Sequence, residues 1–211
     1  MPIKAVIFDL GGVLLDSPMG VLAEFEGAHG LSKNFLNRLI VESGPQGAWA
    51  RLERGELSLE AFYEAFDREI RKAGASISSR ELMAAIHQGG AVRPRMLAAL
   101  RRIREAGFKA AALTNNWLRA DGRTSTGAEA LKAEFDVFVE SCRVGLAKPD
   151  RRIYALPLEK LGAAAAEAVF LDDIGRNLKP ARQMGMHTIK VVSEQAAIAE
   201  LEALLALSLT S

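Results

Sequence analysis

Five short apolar runs, separated by stretches of helical period, constrain this chain more than any other feature. Ala5, Val6, Ile7 and Phe8 form the first, which stops at Asp9 just before Gly11 and Gly12. Phe108 to Leu113 followed by Thr114 and Asn115, Val137 to Val139, Val169 to Leu171 ahead of Asp172, and Thr188 to Val192 repeat that plan. Short runs that are apolar at successive positions suit strands buried on both faces. Between them, Met96, Leu97, Leu100 and Ile103 share a helical face that ends at Gly107, and Leu178, Ala181 and Met184 do the same ahead of Gly185. Strands alternating with helices predict an α/β fold built on a doubly wound parallel sheet.

One region breaks the alternation. From about Ser17 to Gly90 there is no run rich in β-branched residues, only amphipathic helical stretches; one begins at the N-cap residue Ser58 and places Leu59, Phe62, Phe66 and Ile70 at near-helical spacing. This predicts an all-α cap, residues 17–90, inserted after the first strand into a core of residues 1–16 and 91–211. Such an insertion sits over the C-terminal ends of the strands, where open α/β sheets bind ligands. Trp49, Phe62 and Phe66 read as packing between cap helices more than as pocket lining. Asp121 to Gly127 is a polar loop by composition, and Pro157 predicts a kink or an early end to the helix around it.

With 27 basic and 26 acidic side chains the formal charge is +1, which offers neither nucleic acid nor an acidic membrane a field to bind. Arg101, Arg102 and Arg104 read as a solvated helix face. A single cysteine, Cys142, excludes an internal disulfide, and no stretch approaches the roughly 18–20 apolar residues of a membrane span. The first apolar run is cut short by Asp9, so no secretory signal is recognisable, and a cytoplasmic protein, monomer or homodimer, is expected. His29, His87 and His187 are scattered without metal-ligand spacing.

The polar residues at the strand ends carry the functional signal: Asp9, Thr114 with Asn115, Lys148, and the pair Asp172 and Asp173. Taken singly, each has a bland reading. Asp9 could shape a turn, Thr114 start a loop, Lys148 lie on the surface, and the acidic pair open a helix. Together, a buried parallel sheet has little use for charge there except at a site. FDLGGVL at 8–14, LTNN at 113–116, AKPD at 147–150 and FLDDIGRN at 170–177 resemble, in that order, the four motifs of the haloacid dehalogenase superfamily. TNNW, ESCRVGLAKPD and FLDDIGRNLKPARQMGM are most similar to the N-terminal phosphatase domain of soluble epoxide hydrolase and to a related domain fused to some acyl-CoA dehydrogenases. Here that domain is expected to stand alone.

The resemblance implies a Mg²⁺-dependent phosphatase acting on a small phosphorylated metabolite. Asp9 would be the nucleophile that forms an aspartyl phosphate. Mg²⁺ would be held by Asp9, the Gly11 carbonyl and Asp173, with Asp172 as a more distant or water-mediated ligand. Lys148 would add positive charge, Thr114 would hydrogen-bond the phosphoryl oxygens, and Asn115 would reach phosphate or substrate. Asn177 would hold the loop of the acidic pair. The chain departs from the pattern at Gly11, where superfamily phosphatases carry a second aspartate that protonates the leaving oxygen; such catalysis is worth about 10²- to 10⁴-fold. Two alternatives follow: a metal- and phosphate-binding protein with little turnover, and a metal-independent haloacid dehalogenase, against which the acidic pair argues. A receiver domain is excluded because its acidic pair follows the first strand.

Overall fold

The computed structural model describes residues 2–88, 90–124 and 126–209. In chain order the elements are β1 (Ala5–Phe8), α1 (Pro18–Ala28), α2 (Phe35–Glu42), α3 (Ala48–Glu53), α4 (Leu59–Lys72), α5 (Ser79–Gln88), α6 (Pro94–Glu105), β2 (Lys109–Thr114), α7 (Thr126–Leu131) and β3 (Val137–Glu140). There follow α8 (Ser141–Val144), α9 (Arg151–Leu161), β4 (Ala168–Asp172), α10 (Gly175–Gln183), β5 (His187–Lys190) and α11 (Glu194–Leu205). Each of the five apolar runs supplies a strand. They form one parallel sheet in the order β3-β2-β1-β4-β5, so β1 is central.

Alternate residues of the strands feed two separate cores. Val6, Phe8, Ala110, Ala112, Val169 and Leu171 face α6 and α11, while Ile7, Ala111, Leu113 and Phe170 face α9 and α10. Helices on both faces explain why the strands lack polar alternation. The register sets the site. Phe8 pairs with Ala112 on one side and Leu171 on the other, which brings the next residues, Asp9 and Asp172, side by side at the C-terminal edge.

Helices α1 to α5 all fall between β1 and β2 and bury an apolar cluster of their own, built on Leu36, Leu52, Phe62, Phe66, Ile70 and Leu82. Ser58 caps α4, its Oγ accepting from the Ala61 amide at 3.3 Å. Phe62 and Phe66 are fully buried and stack at 5.2 Å, with the Trp49 ring edge-on to both. Trp117, just beyond β2, packs on Trp49 at 5.9 Å, tying this segment to the sheet.

Three local expectations change. α9 runs unbroken through Pro157, whose ring is buried beside Ile153, Tyr154 and Leu158; packing on the sheet outweighs the one backbone bond that proline forfeits. The polar loop is shorter than its composition suggests, because α7 begins at Thr126; Ser125 lies outside the described residues. β5 ends at Lys190, before the apolar pair Val191 and Val192. Arg101 and Arg102 are exposed and Arg104 half-buried, and they pair with Glu134, Glu105 and Asp136. Among the described residues no helix is long and apolar enough to cross a membrane.

Candidate active site

The strand ends meet at one buried ammonium. Lys148 Nζ lies 2.9 Å from Asp9 Oδ2 and 2.7 Å from Asp172 Oδ2, and its side chain is 1% exposed. Asp9 is held by its own neighbour, the Leu10 amide donating to Oδ1 at 2.7 Å. Asp172 is wholly buried: Oδ1 accepts from the Ile174 amide at 2.8 Å, and Asn177 Nδ2 sits 3.1 Å from both oxygens. Asn177 thus anchors the acidic pair, as its position implied, and its own Oδ1 is buried without a partner among the described residues. Asp173 is less enclosed and accepts from Ser17 Oγ, the cap of α1, at 3.0 Å.

Burial dominates the electrostatics. It pushes the Asp9 carboxyl up to about 7, Lys148 working against it and Asp172 with it. Asp173 is likewise raised, first by burial and then by Asp172. Burial opposes the charge on Lys148, but the two paired carboxylates outweigh it and hold its pKa above the ordinary lysine value. Oxygens of Asp9, Asp172 and Asp173 all lie within 4.8 Å of one another. Three carboxylates around one ammonium form a site of hard oxygen donors short of positive charge, which suits a divalent cation such as Mg²⁺. The fit is best at Asp9 and Asp173, since the Asp172 oxygens are already engaged by Lys148, Asn177 and Ile174. Among the described residues no donor is bonded to the Gly11 carbonyl, which stays free for the same cation.

The turn after Asp9 needs its second glycine. Gly12 has φ +75°, and a Cβ there would overlap the Asp173 carboxylate. Gly11 is different: among the described residues its Cβ would meet the Pro18 ring alone, Cδ at 3.3 Å and Cγ at 3.9 Å, so the ring that opens α1 stands where a longer side chain would begin.

A cavity of about 440 Å³ opens from this cluster between the strand ends and helices α1 to α3. Asp9, Thr114, Lys148 and Asp173 line its floor, and Met19, Leu22, Ile40 and Trp49 its opposite wall. Thr114 is 4% exposed, and among the described residues its hydroxyl makes only a long 3.4 Å contact to the next carbonyl. Asn115, expected to reach phosphate, has both N–H donors committed elsewhere: Nδ2 donates to Glu53 at 3.0 Å and to the Lys148 carbonyl at 3.1 Å, while Oδ1 accepts from the Lys148 amide at 2.8 Å. Its side chain braces the wall, with both amide hydrogens directed at protein acceptors.

Glu53, Ser17 and Arg176 also line the cavity and were missed. Glu53 lies within an ordinary charged stretch, RLERGEL, and nothing in its spacing marks it. Ser17 carried a signal, since a serine ahead of proline is a helix start. The histidines lie as expected, His29 stacked on Phe25 and His87 within 3.3 Å of the Trp117 indole nitrogen.

Residues 3–185 match the haloacid dehalogenase-like hydrolase family. The chain is 40% identical over 205 residues to acyl-CoA dehydrogenase family member 10 of Mus musculus, aligning 96% of its own length with 19% of that protein. It is 36% identical over 214 residues to bifunctional epoxide hydrolase 2 of Sus scrofa, 96% of its length against 39%. The chain therefore spans well under half of either relative. A haloacid dehalogenase family enzyme from Bacteroides thetaiotaomicron, solved with magnesium and inorganic phosphate, shares the fold with a TM-score of 0.60 at 21% identity, over 89% of this chain and 93% of that one.

Proposed function

Because this chain belongs to the haloacid dehalogenase-like hydrolase family, we propose that it is a Mg²⁺-dependent phosphatase that cleaves a small phosphate ester through an aspartyl phosphate on Asp9. The observation that carries this reading is the excess of carboxylate over ammonium at the strand ends, three carboxylates around Lys148. A haloacid dehalogenase attacks a carbon centre without a cation and has no need of that excess. The magnesium and phosphate bound by the Bacteroides enzyme, and the epoxide hydrolase and acyl-CoA dehydrogenase relatives, support the same class.

Each residue then has a task. Asp9, fixed by the Leu10 amide and Lys148, presents a carboxylate oxygen to phosphorus. Lys148 favours the ionised form of Asp9 and draws the phosphoryl group in; the Thr114 hydroxyl, weakly engaged, is free to turn to a phosphoryl oxygen. Mg²⁺ would be held by Asp9, Asp173 and the Gly11 carbonyl and would supply charge neutralisation between two anions. Asp172 fixes Lys148, and Asn115 fixes the backbone on either side of it. Residues 17–90 serve as the cap, closing the cavity over the strand ends and setting which ester fits.

Gly11 favours a second reading, a metal- and phosphate-binding protein of low turnover, since glycine carries no proton. Phosphate release from a panel of esters separates the readings. The native protein should show Mg²⁺-dependent turnover that Asp9→Asn abolishes. Phosphate binding without turnover favours the second reading, and halide release from a 2-haloacid without added metal points to the dehalogenase.

A further inference from the structure

We propose that Glu53 is the proton donor and acceptor that Gly11 cannot be, reaching the leaving oxygen from the cap side of the cavity. This rests on the phosphatase reading above. Glu53 is the last residue of α3 and lines the same cavity as Asp9, Thr114 and Lys148. Its carboxyl is fixed by two donors from opposite sides: the Trp49 indole nitrogen, 3.1 Å from Oε1, and Asn115 Nδ2, 3.0 Å from Oε2. Its own carbonyl accepts from Ser141 Oγ at 2.6 Å, pinning the end of α3 to the start of α8. A carboxyl so held at the wall of a reaction cavity is pre-organised in the way acid–base catalysis requires.

Charge supports the geometry. Burial raises the Glu53 pKa above the ordinary glutamate value, against the Trp49 hydrogen bond and the charges of Arg176 and Lys148. Arg176 on α10 and Lys148 ahead of α9 are the charges that face it. On the elements packed against α3, Arg143 of α8 pairs with Glu140, and Glu69 of α4 accepts from the Ala48 amide at the opposite end of α3 from Glu53. On its own helix and just beyond, Arg51 and Arg54 pair with Glu56.

The steps balance. As an Asp9 oxygen bonds to phosphorus, the bond from phosphorus to the ester oxygen breaks, and that oxygen takes the Glu53 proton to leave as an alcohol. Water then attacks the aspartyl phosphate and gives its proton to the Glu53 carboxylate; the bond from phosphorus to Asp9 breaks, and inorganic phosphate leaves with the acid restored.

The test compares p-nitrophenyl phosphate, whose leaving group needs no proton, with a primary alkyl phosphate, in the native protein, Glu53→Gln and Glu53→Asp, with Mg²⁺ present. Glu53→Gln should lower kcat/KM for the alkyl ester by about 100-fold or more, leave that for the nitrophenyl ester within about fivefold, and give a nitrophenolate burst as the second step slows. Glu53→Asp should recover part of the alkyl activity. In the native protein only the alkyl ester should lose kcat/KM as pH rises and the acid form is depleted, a limb measurable without any variant. Equal losses for both esters, or parallel native pH profiles, overturn the assignment while leaving the phosphatase reading intact. Absence of turnover by the native protein on either ester sinks both.

Discussion

Lys148 carries more of this site than a lysine in a loop usually does. Its ammonium, 1% exposed, is the counter-charge to two carboxylates at once. Removing one partner of such a buried set leaves the others uncompensated, which costs roughly 3–5 kcal/mol. Lys148→Met should therefore lower the unfolding free energy by about that much in urea titrations without divalent cation, with part of the loss recovered on adding Mg²⁺. Its place beside Asp9 was legible because AKPD stands in a recognisable order after Asp9 and Thr114. The work of Asn115 was not, because an amide that braces and an amide that binds look alike in a sequence. Only the placement of Glu53, sixty-odd positions earlier in the chain, shows which way its donors point.

At the level of elements, the strands were legible because each is an apolar run too short for a helix, and the register then placed Asp9 beside Asp172. Helix ends in the inserted segment were less so. α4 was readable from Ser58 and its apolar face, whereas α3 is six residues long and offers too few turns to show a period. That segment is held by its aromatic cluster. Truncating one of its stacked rings, Phe66→Ala, should destabilise the protein by about 3–5 kcal/mol, read as a fall in midpoint on thermal or urea denaturation. α9 shows the opposite lesson: Pro157 predicts a break, yet the helix persists because its buried side, not its backbone bonds alone, keeps it in place.

Across the whole molecule, the sheet and the inserted helices are joined at a few close approaches. Gly55, at φ +70°, lies so near the Cys142 carbonyl that any side chain there would overlap it. Cys142 is 8% exposed, and burial pushes its thiol up to about 11 from an ordinary 9. A shift of that size leaves about 100-fold less thiolate at neutral pH. Iodoacetamide at pH 8 should label the native protein at least that much more slowly than the urea-unfolded chain, and the rate should climb as pH approaches 11. Such joints escape sequence reading because each pairs residues far apart in the chain, and neither partner looks unusual where it stands.

The short helix α3 stands at the most consequential of these joints. It supplies the cavity wall through Trp49, the proposed acid through Glu53, and a tie to Ser141 just past the end of β3. A lineage drifting toward a new ester cannot freely rewrite it without also disturbing proton transfer. Freedom lies instead at the rim, where Asn37 and Val41 line the cavity, stay exposed and answer to no fixed partner among the described residues. Substrate preference should therefore diverge through α2 long before it diverges through α3.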